Sequence, residues 1–283
     1  MNSMWKSLRV PGIAIALFAM VAGCTTSPTG RQQLQLFPEK QMAQMGSEAY
    51  ENIKKETPVS EDPAVNGYVS CVADAIIRVL PEGREVPPSW EVTVFRSDQV
   101  NAFALPGGKI GVYTGLLRVA ENQHQLAAIV GHEIGHVLAN HSNARLSANY
   151  ATMAGLTVIS VLAGASGAVD DQRTMMALLG LGAQVGVLLP FSRSHESEAD
   201  EIGLELMAEA GFSPAESVEL WKRMAEASDG QPPEFLSTHP SHGTRIRDLQ
   251  DQVPRAQRLY DASPYRPDCR EVIPEAVNAE DAG

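Results

Sequence analysis

The chain is short of positive charge, of cysteine and of internal repetition. Its 22 lysines and arginines stand against 34 acids, for a formal net charge of −12. The bases form no cluster, so the electrostatic footprint that nucleic acid requires is missing. Three cysteines are too few to build a disulfide scaffold, which leaves a packed apolar core to hold the fold. No segment recurs along the chain, and this excludes a solenoid. What is there suffices for one sizeable core with an appendage: 283 residues, of which 44% are apolar and 20% charged.

The N-terminus does not read as part of that core. Lys6 and Arg9 make a basic start, Ile13 to Val21 a short apolar run, and Val21-Ala22-Gly23-Cys24 follows. The run suits a secretory leader better than a membrane span. It resembles a bacterial lipoprotein signal peptide, which ends at the cysteine that is acylated. The resemblance implies that residues 1–23 are removed and that acyl chains on Cys24 anchor the protein to the membrane. Thr25, rather than an aspartate, follows the cysteine, which points to the periplasmic face of the outer membrane. Residues 24–37, with Pro28 and Gly30, read as a polar tether. In an oxidising compartment Cys71 and Cys269 can pair and tie the tail to an early helix; the alternative is two separate buried thiols.

Residues 38–263 read as one domain, mainly α with a small β-sheet, and 264–283 as a Pro-rich, acidic, poorly ordered tail apart from Cys269. The pattern predicts helices over Glu39 to Lys55, from Asp62-Pro63, over Glu121 to Asn140, over Ser194 to Ala210, from Ser213-Pro214 to about Ala227, and over Ser241 to Gln257. It predicts strands at Trp90 to Phe95, Asn101 to Leu105 and Lys109 to Tyr113, with a turn at Pro106-Gly107-Gly108. Asp229 to Thr238 reads as a loop. The Ala-, Gly-, Leu- and Met-rich stretch 146–189 reads as a helical hairpin that packs or rests on a membrane surface, although its length also suits two spans.

The densest chemistry lies in His132-Glu133-Ile134-Gly135-His136. On a helix, positions i and i+4 share a face, so both histidines can grip one metal. Glu133 is placed to take a proton from water held by that metal. Gly131 and Gly135 each cost about 1 kcal/mol in a helix interior, which implies that another element or a ligand approaches the backbone there. A catalytic zinc takes three protein ligands and keeps one open position. The spacing HExxHxxGxxH is excluded, because Ala139 and Ser142 occupy the required positions and His141 falls one residue short. A glutamate from a later helix is the other solution, and Glu196 is the best candidate. Asp200, four residues on, shares its face and can hold the far nitrogen of a ligand histidine. Glu198 points elsewhere and reads as solvated. His124, His141, His195 and His242 read as structural or exposed.

These residues occur in order with Asn101-Ala102-Phe103-Ala104-Leu105-Pro106-Gly107-Gly108 and with Ser237-Thr238-His239-Pro240-Ser241-His242-Gly243-Thr244-Arg245-Ile246. Together they resemble metallopeptidase family forty-eight, which holds the HtpX-like proteases, the CAAX prenyl endopeptidases and periplasmic quality-control peptidases. The likeness runs from about Gly30 to Leu259. It implies a zincin-like fold with an edge strand over the cleft, and one Zn²⁺ per chain on His132, His136 and Glu196. In that reading Asn101, Ala102, Phe103 and Ala104 pair with an extended substrate backbone. Glu133 is the general base, and His239 and Arg245 lie near the metal, where they steady the oxyanion or where His239 fills the open position at rest. The implied activity is endopeptidase cleavage of extended or misfolded envelope proteins, unassembled outer-membrane proteins among them. The alternative is a lipoprotein chaperone that uses the same groove as a holdase.

Overall fold

The computed structural model describes residues 24–83, 86–162 (side chains to 152), 192–226, 234–239 and 243–269. A hairpin comes first: β1 (Cys24–Thr26) pairs antiparallel with β2 (Gln32–Leu34). Helix α1 (Glu39–Glu56) follows, with Lys54 and Lys55 in its last turn, where cations suit the negative end of the helix dipole. Helix α2 (Pro63–Ile77) starts where the sequence predicts. Asp62 accepts from the backbone N–H groups of Ala64 and Val65, and Pro63 occupies a position that needs no N–H.

Three strands make the sheet: β3 (Glu91–Phe95), β4 (Ala102–Leu105) and β5 (Lys109–Tyr113). Their order is β3-β5-β4, with β3 parallel and β4 antiparallel to the central β5. The β4–β5 turn places Gly107 at φ 87° and Gly108 at φ 75°, where a side chain would be strained. In the sheet β4 is paired along one side only.

The helices α3 (Thr114–Leu117), α4 (Gln123–Leu138), α5 (His141–Leu162), α6 (Arg193–Glu209), α7 (Ala215–Glu226), α8 (Glu234–Thr238) and α9 (Arg245–Ala262) complete the described fold. Helix α4 is its axis. Asn122 caps it by accepting from His124 and Gln125, and every residue from Gln125 to Leu138 is buried. A helix sunk on all sides needs partners on all sides. Leu126, Ile129, Val130 and Ile134 meet Val69, Val72 and Ile76 of α2, Ile110 and Val112 of β5, Leu204 and Met207 of α6, and Leu220 and Met224 of α7 in one core. Each such side chain contributes roughly 1.5–3 kcal/mol by leaving water.

Several expectations need correction. Residues 24–37 do not trail as a tether. Gln33 donates to the Ala139 carbonyl, Leu36 N–H to the Ser147 hydroxyl, and Asn143 donates to the Phe37 carbonyl, which fastens the segment to α4 and α5. The tail is folded as far as Cys269: Gln123 donates to the Pro267 carbonyl and accepts from the Cys269 N–H, and a disulfide joins Cys269 to Cys71 on α2. The predicted loop 229–238 contains α8, and the last helix begins at Arg245 and runs through Pro254 to Ala262. The leader and most of the apolar stretch 146–189 lie outside the described residues. Among the described residues no helix is long and apolar enough to cross a membrane.

Candidate metal centre

The centre is built where α4 crosses α6, and glycines set how closely they approach. A Cβ on Gly203 would lie 2.6 Å from the His132 backbone nitrogen, and one on Gly131 2.8 Å from the Gly203 carbonyl oxygen. A Cβ on Gly135 would stand 3.0 Å from the Ala199 carbonyl oxygen. The close approach that the two glycines imply is therefore backbone against backbone. It lays the Glu196–Asp200 face of α6 along the His132–His136 face of α4.

The ligand candidates converge. His132 Nε2 and His136 Nε2 are 3.0 Å apart, and Glu196 reaches them at 3.5 and 3.4 Å. His239, just past α8, brings Nδ1 to 3.2 Å from both His132 Nε2 and Glu196 Oε1. The ligand atoms of His132, His136, Glu196 and His239 all lie within 4.8 Å of one another, and all four residues are buried. The His239 ring stacks on Phe235 with centroids 4.5 Å apart, which fixes its plane.

Behind this cluster stands Arg245, fully buried. Its Nη1 donates to Glu196 Oε2 at 3.0 Å and its Nη2 to Asp200 Oδ1 at 2.6 Å, while the guanidinium lies 3.4 Å from the Trp221 ring centroid. Asp200 Oδ1 meets His132 Nδ1 at 2.9 Å. Arg245 thus grips the two carboxylates behind the ligands. Burial opposes the charge on Asp200, but the Arg245 guanidinium holds its carboxyl below the usual range. Burial opposes Glu196 too, yet the charge of His239 and hydrogen bonds from His132 and His136 keep it well below normal. Burial drives His136 well down, whereas on His132 the pull of Asp200 and Glu196 outweighs burial and lifts it to about 9.

Glu133 faces the other way, toward the sheet. Its Oε2 accepts from the Ala104 N–H of β4 at 3.2 Å. Its Oε1 is buried without a hydrogen-bond partner among the described residues, with His239 Nε2 3.4 Å away. Burial raises its carboxyl above the usual range. Strand β4 is pinned from its far face. The Phe103 ring lies over Gly111, whose missing Cβ leaves it room, and packs with Tyr50, Phe95 and Tyr113. Asn101 turns inward, its side chain accepting from Ala102 N–H and its carbonyl from Tyr113 N–H.

Sequence reasoning missed a second set of residues. Glu198 is not solvated: it is buried, accepts from Arg31 Nε at 2.8 Å and from the Thr29 hydroxyl at 2.6 Å, and meets His141 Nε2 at 3.0 Å. His141 is fully buried, with Nδ1 2.8 Å from His136 Nδ1, and His195 stacks on it at 4.4 Å. The one available cue was Asn140. It sits at φ 53°, a left-handed conformation that asparagine tolerates better than most residues, and so reverses the chain and returns His141 to the side of His136.

The donor set fits zinc. The His132 and His136 Nε2 atoms lie 3.0 Å apart with the Glu196 oxygens 3.5 and 3.4 Å from them, so three donor groups face one point. Imidazole nitrogen with one carboxylate oxygen is a ligand chemistry that zinc prefers.

Comparison with known proteins agrees. The pattern of peptidase family M48 matches residues 63–253, and the chain belongs to that family. It is similar to the mitochondrial metalloendopeptidase OMA1 of Schizosaccharomyces pombe, with 37% identity over 221 residues that cover 77% of this chain and 62% of the relative. It is 31% identical to human OMA1 over 248 residues, covering 82% of this chain and 46% of that one. It is 29% identical to the beta-barrel assembly-enhancing protease of Escherichia coli K12 over 218 residues, covering 75% and 44%. The chain therefore spans about half the length of the relatives it matches.

Proposed function

We propose that the protein is a zinc-dependent metalloendopeptidase that hydrolyses peptide bonds in extended or misfolded envelope proteins. The observation that carries this reading is the convergence of His132, His136 and Glu196 beside a buried Glu133, at the outer side of a strand paired along one edge only. His132, His136 and Glu196 hold the ion. Bound there, zinc supplies Lewis acidity, which lowers the pKa of water and polarises a carbonyl.

The chain's own groups do the rest. Glu133 Oε1 takes a proton from the attacking water and delivers it to the leaving nitrogen, while the Ala104 N–H steadies Oε2. Burial raises the proton affinity of Glu133, which strengthens it as the base that takes the proton from water. His239 closes the cluster on the Glu133 side and offsets negative charge on the carbonyl oxygen, a contribution of the kind often worth about 3 kcal/mol. Arg245 is a positioning residue that aims Glu196 and Asp200. The outer edge of β4 binds an extended substrate segment by backbone hydrogen bonds, which read little of its sequence.

The leader and Cys24, exposed at the start of β1, support lipid anchoring at the periplasmic face of the outer membrane. The name of the Escherichia coli relative supports outer-membrane proteins as substrates.

The test is degradation of an unfolded protein such as casein by the purified chain. A chelator should abolish cleavage and zinc should restore it, and Glu196→Ala should lose metal by elemental analysis by more than the 10–100-fold that outer partners give. Chelator-resistant cleavage, or full metal content in Glu196→Ala, overturns the reading.

A further inference from the structure

His132 and His136 turn their Nε2 atoms to one point, so each is held from its Nδ1 side, and the holders differ. Behind His132 it is a carboxylate, Asp200 Oδ1 at 2.9 Å. Behind His136 it is a second imidazole, with 2.8 Å between His141 Nδ1 and His136 Nδ1, and only then a carboxylate, Glu198 Oε2 at 3.0 Å from His141 Nε2. The hydrogen-bond roles along this line follow from its far end. Glu198 takes donors from Arg31 and from Thr29, so it acts as an acceptor throughout. His141 Nε2 therefore carries the hydrogen, and its Nδ1 a lone pair. That lone pair accepts from His136 Nδ1–H, which leaves the lone pair of His136 on Nε2, facing the other ligand atoms.

We propose that His141 and Glu198 form a relay that fixes the tautomer and ring angle of His136 for metal binding, and that the β1–β2 hairpin locks the relay from outside through Arg31 and Thr29. This rests on the metal-centre reading above. The hairpin is stitched to the same place once more: Arg31 Nη2 donates to Gln33 Oε1 at 2.9 Å within the hairpin, and Gln33 Nε2 donates in turn to the Ala139 carbonyl at 2.8 Å, just beyond α4. The His195 ring, stacked on His141 at an interplanar angle of 29°, holds the relay flat. His141, Glu198 and Arg31 are positioning residues, since none lies among the four groups whose ligand atoms converge.

The experiment uses the full chain, stripped of metal and titrated with cobalt(II). Affinity is read by competition with a chelator, geometry by the visible cobalt absorption, and folding by the melting of the metal-free protein. His141→Leu should weaken cobalt about 10–100-fold and change the absorption band. His141→Gln should recover most of the affinity, because its amide offers an acceptor and a donor in the same sense as the ring. Arg31→Met should shift affinity in the same direction by a smaller factor. Wild-type affinity and spectrum in a folded His141→Leu overturns the relay. Should that variant fail to fold, wild-type affinity in Arg31→Met overturns it instead. A wild-type chain that binds neither cobalt nor zinc sinks the metal centre itself, and the relay with it.

Discussion

The back and the front of the metal centre are made of different materials. The back is two helix backbones, α4 and α6, in contact through Gly131, Gly135, Gly203 and Ala199. The front is a strand edge and side chains: Glu133 bonded to one N–H of β4, and His239 leaning on Phe235. The back is set by volume, so one added methyl group has nowhere to go. The front is set by charge and by single hydrogen bonds, so it can change its chemistry without changing its shape. Changes at the back should therefore move stability and metal binding together, whereas changes at the front should move turnover alone.

Glu133→Gln puts the largest strain on this comparison. It keeps the volume and removes the base, so turnover of an unfolded protein should fall about 10²–10⁴-fold while metal content and melting temperature stay put. Initial rates and elemental analysis read both. Loss of metal in the same variant would show that front and back are not separable, and undiminished cleavage would remove Glu133 from its role. Gly203→Val tests the back. Overpacking there should cost about 1–3 kcal/mol or more, with melting temperature and metal affinity falling in step. An unchanged melting curve would mean that the helices are not locked by contact. The smallest effect belongs to Arg255→Ala, on α9, whose exposed guanidinium reaches Glu201 and Glu205 on the outer face of α6. Surface ion pairs of this kind are worth about 0–1 kcal/mol, so stability and metal affinity should hardly move in thermal melts and chelator competition. A large loss would place the control of α6 on its solvent side instead.

The legible parts of this fold carry local patterns. Helix periodicity, the Asp62-Pro63 start and the Pro106-Gly107-Gly108 turn each act over a few residues, and the elements fall close to where they are expected. His132 with His136, and Glu196 with Asp200, each share a helix face as their i, i+4 spacing suggests, and the two faces meet. The illegible parts depend on distant partners. The hairpin 24–34 looks like linker because its hold on the fold is polar and non-local: Gln33 to Ala139, Arg31 to Glu198. Glu198 looks solvated because a helical wheel knows nothing of a hairpin arriving from 167 residues away. His141 looks ordinary because its role depends on the backward turn at Asn140. The hold of Arg245 on Glu196 and Asp200 is illegible because a place near the metal does not reveal which atoms its fork grips.

The bond between Cys71 and Cys269 closes a covalent ring that contains α4, α6, α8 and every donor atom of the centre, and leaves the hairpin outside it. Any single scission of the backbone within that ring opens it without releasing a fragment. A nicked chain would migrate as one band in the oxidised state and fall into pieces only when a reductant is added, so intactness judged without reduction says nothing about whether the ring has been cut.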